Sequence, residues 1–519
     1  MEKKYRSYKL ITAAIIIALF AAWFLTCNTN PITPAAGEKG QTYHLAKIKI
    51  ADTDIIEDID RDAAAQSLVQ EIRSQDLRYV SNVGPGYLWV IVTDQQWEFL
   101  RQQGYAVEHI LRADELTLHK RMVWGPDKIL PTGYHTYEEM VMELKTVHKN
   151  YPRITDLEII GKTQQFNKDI YALKLSDHAD ISEDEPRVLF SAAIHGNEIM
   201  GAEVTLALLK DLLGKYRNQD EEVIRYIHDL EIWFVPVINV DGYVIATTLH
   251  PSWRKNARDN DGDGKWSPAD GVDLNRNFDF NFAGSGSGDP ASKFYRGPFP
   301  FSERETQVIA DLVKKQKFLF SYTYHSAESR VYYPWRDTLG EREIYTPEDE
   351  LLREMAQNIA GKIKCINEDY TYEAIRNTKK ESYTTNYYYA EPGTIDFMIE
   401  LGKYDHVYPQ PALRRIMQHN LPAAYYLLKR SLGPGLTGIV TEEGTGRPLL
   451  AEVQILTYDD DEDDIKPRTT DPRTGRFYRA LLPGTYTVVV KAAGWADKRF
   501  DKVVVADSGW IELNCRLSR

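Results

Sequence analysis

Cysteine is nearly absent from this 519-residue chain, with only Cys27, Cys365 and Cys515 present. Three thiols cannot build a disulfide framework, so the fold must rest on buried apolar cores. Basic character is also short. Asp and Glu outnumber Lys and Arg by 76 to 63, giving a formal net charge of −13. No dense Lys/Arg run occurs beyond the N-terminus. This excludes nucleic acid as the main partner, because phosphate binding requires a basic face. Long apolar runs are scarce too. The N-terminal one, residues 10–25, has 16 residues, fewer than the ~20 that a spanning helix ordinarily takes.

What is present is a globular profile, 43 % hydrophobic, 27 % charged and 11 % aromatic. The length implies roughly two to four domains. Tyrosine is abundant, with 32 residues, and suits half-buried positions with one wet end. Lys3, Lys4, Arg6 and Lys9 precede the apolar run, and Thr26-Cys27 follows it, which reads as an export signal. Phe24-Leu25-Thr26-Cys27 is similar to a bacterial lipoprotein cleavage box, although Phe24 and Thr26 depart from it. A lipidated Cys27, a cleaved secretory signal and an uncleaved anchor stay open. Each places the body outside the cytoplasm, and two of them tether it to a membrane.

The pattern divides the chain into an N-terminal signal or anchor (residues 1–27) and a small polar linker (28–42). A compact α/β region (43–125), a larger α/β region (130–432) and an all-β tail (435–519) follow. The first of these regions has strand patterns at 44–50, 87–92 and 107–111 and helical spacing at 62–73 and 94–103. In the second, apolar strands at 187–194, 230–238, 318–324 and 397–401 alternate with helical segments. That alternation predicts a mixed, mostly buried sheet flanked by helices. After Gly433-Pro434-Gly435, short strands without a long helix predict a β-sandwich. The acidic run at 459–464 reads as a solvated loop.

Four features of the larger region carry chemistry. His195-Gly196-Asn197-Glu198 falls where a strand gives way to a helix, and catalytic groups in open α/β sheets gather at such ends. An imidazole and a carboxylate three residues apart can face one ion, and zinc takes such N and O donors. His325 closes another apolar strand and becomes a third ligand candidate beside that motif. Arg254, Asn275 and Arg276 lie in a loop-rich stretch, where guanidinium forks suit a substrate carboxylate. Glu400 sits inside Phe-Met-Ile-Glu-Leu, where a carboxylate is either structurally paired or a general base.

These residues, in this order, resemble the zinc carboxypeptidase family of digestive enzymes and their regulatory relatives. Further matches are Asn239-Val240-Asp241-Gly242, Trp253-Arg254-Lys255, Asn275-Arg276-Asn277, Tyr295-Arg296-Gly297-Pro298 and Phe301-Ser302-Glu303. The resemblance implies one zinc on His195, Glu198 and His325. It implies Arg254 as the oxyanion group, Asn275 and Arg276 as the clamp on a peptide or protein C-terminus, and Glu400 as base. It also implies a mobile tyrosine upstream of the base. Tyr389 in Tyr-Ala-Glu-Pro-Gly fits that context, with Tyr383, Tyr387 and Tyr388 as rivals. The fold implied is the zinc-carboxypeptidase mixed sheet, with residues 43–125 resembling an activation propeptide and 435–519 a transthyretin-like sandwich. A peptidoglycan peptide amidase and an inactive peptide-binding homologue are the alternatives.

One motif stands apart. Asp259, Asp261 and Asp263 form a DxDxDG run with Asp270 at the twelfth position, which is calcium-loop spacing. An acidic turn is the competing reading.

Overall fold

A computed structural model describes residues 130–519 except 249, 263–266, 268, 340–341, 367–369, 379, 404, 457 and 460–464, together with four N-terminal strands and Arg101. The export segment, Cys27, the linker, nearly all of the two expected N-terminal helices, Asp263 and most of the acidic run lie outside the described residues.

The N-terminal strands are β1 (Tyr43–Lys49), β2 (Arg78–Gly84), β3 (Tyr87–Thr93) and β4 (Val107–Leu111). They form one antiparallel sheet in the order β2-β3-β1-β4. Strand β2 was not expected. Its Ser81, Asn82 and Gly84 are turn-favouring residues, and pairing with β3 overrides that local preference.

Helix α1 (Tyr137–Asn150) opens the larger region, closed at its start by a reciprocal Thr136–Glu139 capping box. Strands β5 (Thr155–Lys162), β6 (Asp169–Leu175) and β7 (Arg187–Ala192) follow, then α2 (Met200–Arg217), α3 (Glu221–Asp229), β8 (Glu231–Val235), α4 (Val240–Thr248) and α5 (Arg304–Gln316). Next come β9 (Phe320–Ser326), β10 (Arg330–Tyr333), the β11 (Arg336–Leu339) and β12 (Arg342–Tyr345) hairpin, α6 (Asp349–Ala360) and β13 (Glu373–Arg376). Helix α7 (Thr384–Ala390), β14 (Ile395–Leu401) and α8 (Gln410–Arg430) complete it.

Eight of these strands make one mixed sheet, β13-β10-β14-β9-β7-β8-β6-β5. Every residue of β7, β8 and β9 is buried, as expected for strands covered on both faces. The strands β14, β9 and β7 run parallel side by side, so their C-terminal ends meet at one edge.

The tail contains β15 (Gly435–Glu442), β16 (Glu452–Ile455), β17 (Arg476–Ala480), β18 (Gly484–Lys491), β19 (Lys498–Val505), β20 (Trp510–Glu512) and β21 (Cys515–Leu517). Strands β17, β15, β20 and β21 form one sheet and β16-β18-β19 the other, around a separate apolar core that includes Leu436, Val453, Phe477 and Val488. This tail is docked firmly on the α/β region. Arg479 reaches Glu348 at 2.8 Å, Lys317 donates to Thr469 and Thr470, and the Lys466 N–H donates to the carbonyl of Ala390. Among the described residues no helix is long and apolar enough to cross a membrane.

Candidate metal centre

The parallel strand ends deliver the three ligand candidates. His195 and Glu198 occupy the turn between β7 and α2, and His325 lies next to last in β9. Gly196 makes the turn possible. A Cβ there would lie 2.4 Å from the Gly242 carbonyl oxygen and 2.7 Å from that of Trp253, so only glycine lets those segments close in. Its N–H donates to the Arg254 carbonyl, which fixes Arg254 beside Glu198.

The donors converge. The Nδ1 atoms of His195 and His325 are 3.2 Å apart, and they stand 2.8 and 2.9 Å from the two Glu198 oxygens. All three side chains are buried. Two ring nitrogens facing each other across a carboxylate make an N,N,O set that fits zinc. Burial alone would raise the Glu198 carboxyl, but His195 and His325 hold it well below the usual carboxylate range.

Asp273 ties the centre together, although the sequence reading gave it no role. One oxygen meets His195 Nε2 at 3.1 Å, which leaves the Nδ1 lone pair for a metal. The same oxygen accepts the Asn275 N–H, and the other accepts from Arg254 Nε at 3.1 Å. Burial would raise this carboxyl too, yet Arg254, Arg276 and His195 hold it far below its ordinary range. Its place two residues before Asn275 was the available signal. Arg254 also contacts Glu198 at 3.3 Å.

The clamp candidates lie next door. Asn275 Oδ1 accepts the Thr384 N–H, while among the described residues its Nδ2 meets Met398 Sδ, at 3.9 Å. The Arg276 guanidinium is held over the Tyr383 ring at 4.5 Å and the Phe294 ring at 5.5 Å, with Glu381 at 3.3 Å. Glu400 pairs in register with His325 across β14 and β9 and remains half-buried. Burial, then the nearby Glu198 and Glu328, raise its carboxyl well above the usual range. A further group that the sequence did not flag is His406, whose Nδ1 is 2.9 Å from Ser326 Oγ.

Tyr389 does not join this site. Its hydroxyl donates to Glu348, its ring packs on Trp335, and Arg468 of the β-sandwich lies 4.7 Å above it. It faces the docked tail and not the histidines, because successive residues of the two-turn helix α7 point about 100° apart. The tyrosine beside the clamp is Tyr383, its hydroxyl pushed up to about 12 by burial and so a neutral donor at neutral pH.

The calcium-loop residues form a separate cluster. Carboxylate oxygens of Asp259, Asp261 and Asp270 lie within 4.8 Å of one another. Asp270 is already engaged by the N–H groups of Asn260 and Ser267.

A model of the zinc carboxypeptidase family matches residues 140–423, more than half of the chain and all of the metal centre. The chain belongs to that family. It is therefore a metallocarboxypeptidase, a zinc-dependent exopeptidase of the hydrolase class. It is 28 % identical over 414 residues to the mouse carboxypeptidase N catalytic chain, covering 74 % of this chain and 86 % of that one. It is 26 % identical over 412 residues to duck carboxypeptidase D, covering 74 % of this chain and 27 % of that much longer protein. Among solved structures, thrombin activatable fibrinolysis inhibitor superposes with a TM-score of 0.56 at 18 % identity, covering 75 % of this chain and 99 % of that one. That likeness establishes the shared fold.

Proposed function

We propose that this metallocarboxypeptidase removes single residues from the C-termini of peptides or proteins outside the cytoplasm, with zinc held by His195, Glu198 and His325. The observation that carries the reading is the bridge through Asp273, which joins the histidine–carboxylate cluster to Arg254 and to the Asn275–Arg276 pair. The extracytoplasmic placement rests on the basic start and the apolar run at residues 10–25.

When bound, zinc supplies Lewis acidity toward a water molecule and the scissile carbonyl. Asn275 Nδ2 and the Arg276 fork hold the substrate's terminal carboxylate, which sets the last peptide bond over the cluster. Glu400 takes the proton of the attacking water and returns it to the leaving amine. Arg254 meets the charge that develops on the carbonyl oxygen, where a fixed cation contributes most to rate. Tyr383 covers the bound residue and donates its hydroxyl. A clamp for a free carboxylate favours this reading over the amidase.

The test is hydrolysis of a peptide panel by the full chain, before and after proteolytic removal of residues 43–125, read by mass spectrometry. Stepwise loss of single C-terminal residues is expected, abolished by a chelator and restored by zinc. No trimming by a folded, zinc-loaded sample would move belief to the amidase or the inactive homologue. The tyrosines give a second test. Tyr383→Phe should lower kcat/KM by about 3–10-fold, the worth of one hydrogen bond. Tyr389→Phe should instead cost about 1–3 kcal/mol of stability, with kinetics unchanged, because it leaves buried Glu348 short of a donor. Equal kinetic effects would refute the assignment.

The Asp259–Asp261–Asp270 cluster, with Asp263, is the proposed place for calcium, which would brace the segment between Arg254 and Asn275. Retention of calcium by the protein through gel filtration checks it, and none retained removes the ion.

A further inference from the structure

Phe294 is a large apolar side chain without a place in an apolar core. It is 39 % exposed and belongs to neither of the two hydrophobic clusters. What surrounds its ring is positive charge. The Arg254 guanidinium lies over the ring at 5.6 Å from the centroid, and the Arg276 guanidinium at 5.5 Å. Lys293, itself exposed, brings its Nζ to 4.9 Å.

The backbone fixes this ring in advance. The Ser287 N–H donates to the Phe294 carbonyl at 2.9 Å and the Arg296 N–H to the Ser287 carbonyl at 3.0 Å, which bridges Ser287 to Tyr295. The Asp273 N–H donates to the Tyr295 carbonyl at 2.8 Å, so the segment is tied to the residue that joins the site together. Lys255 Nζ holds the Pro290 carbonyl at 2.8 Å. Gly286 lets the segment press onto Arg276. A Cβ there would lie 2.5 Å from the Phe294 carbonyl oxygen and 2.9 Å from Arg276 Cγ.

Arg254 and Arg276 are like charges in one small site, and they repel each other. Asp273 offsets part of that repulsion, since Arg254 Nε donates to it at 3.1 Å. Phe294 offers the two cations something further, the electron-rich face of an aromatic ring. In the reading above, Arg254 meets the scissile carbonyl and Arg276 the terminal carboxylate. Those two groups stand one residue apart in a substrate. The spacing of the two guanidiniums is therefore a gauge for one residue, and Phe294 touches both ends of the gauge.

Resting on that reading, we propose that Phe294 is a positioning residue shared by both arginines: its ring sets the separation between the cation that meets the carbonyl and the cation that holds the carboxylate. It acts through the guanidiniums and not on the reacting atoms. One of the two arginines works on the transition state and the other on binding. Loss of the ring therefore lowers kcat and raises KM together. A ring that merely packed would cost stability and leave both constants alone.

The test removes the ring's electrons and keeps its bulk. Phe294→Leu in the full, zinc-loaded chain should lower kcat/KM by about 5–30-fold, the worth of two cation–π contacts. The loss should be divided between kcat and KM, with thermal midpoint and zinc content unchanged. Phe294→Tyr should stay near wild type. Phenylalanines with one, two and three ring fluorines at position 294 should lower kcat/KM stepwise, because fluorine drains the ring face at nearly constant shape. Lys293→Ala should match wild type. A flat fluorine series, wild-type rates in Phe294→Leu, or an equal loss in Lys293→Ala overturns the role. A wild type that trims no peptide overturns the exopeptidase reading instead, and calorimetry then decides Phe294 separately. Affinity of the Glu400→Gln chain for a free-acid peptide should fall about 2–5-fold on adding Phe294→Leu. Equal affinity removes Phe294 from the site.

Discussion

Replacing Glu400 with Gln should leave zinc content unchanged and lower kcat by about 10²–10⁴-fold, the range ascribed to a positioned general acid–base. The amide is isosteric, so β14 keeps its register with β9 and the side chain stays opposite His325. What disappears is the capacity to take a proton from water and pass it to the amine. The parent carboxyl has an unusual setting, with burial and the neighbouring Glu198 both disfavouring its charge. Its ordinary place inside an apolar strand would be costly if the group were merely structural. Zinc counted by plasma mass spectrometry and kcat measured on one good peptide decide the matter. A kcat within about tenfold of wild type would remove Glu400 from the base role.

Arg276→Ala should lower kcat/KM by about 10²–10³-fold, mostly through KM, because it strips the partner from a buried, charge-assisted carboxylate contact. The guanidinium is 10 % exposed and held against the Tyr383 and Phe294 rings, which fixes the fork in place. The readout specific to a clamp is the ratio of rates on free-acid and C-terminally amidated peptides. That ratio should collapse toward unity, since the amidated substrate never used the missing fork. An equal loss on both peptides would mean that Arg276 supports the fold instead. Circular dichroism with a thermal melt separates that outcome.

The candidate metal centre was legible because its donors are polar residues at the ends of apolar strands, where burial without a purpose is expensive. His195, Glu198 and His325 each interrupt or terminate such a run, and Glu400 stands inside one. The structure brings all four to one sheet edge through the parallel pairing of β7, β9 and β14. Asp273 was hidden by its company. Beside Asn275 and Arg276 it looked like part of the same polar loop, and only its contacts reveal it as the bridge.

The tyrosine could not be chosen from spacing. Tyr383, Tyr387, Tyr388 and Tyr389 lie within seven positions, and their directions depend on a short helix that the sequence reading did not anticipate. Which side faces the site depends on where the sandwich docks, a long-range fact. Strand β17 shows a related long-range effect: Arg479 within it is buried because Glu348 and Asp459, both distant in sequence, neutralise it.

Helix α7 has a place in both halves of the molecule. At its first residue the Thr384 N–H holds the Asn275 side chain, and at its last the Ala390 carbonyl receives the N–H of Lys466 from the sandwich. Seven residues of helix are stiff over about 10 Å, so the two ends share one rigid strut. A ligand that pulls on the clamp and a partner that leans on the sandwich thus load the same beam. Residues 435–519 are for that reason more than an appendage: the orientation of Asn275, in the proposed clamp, is held in part from the far side of the protein.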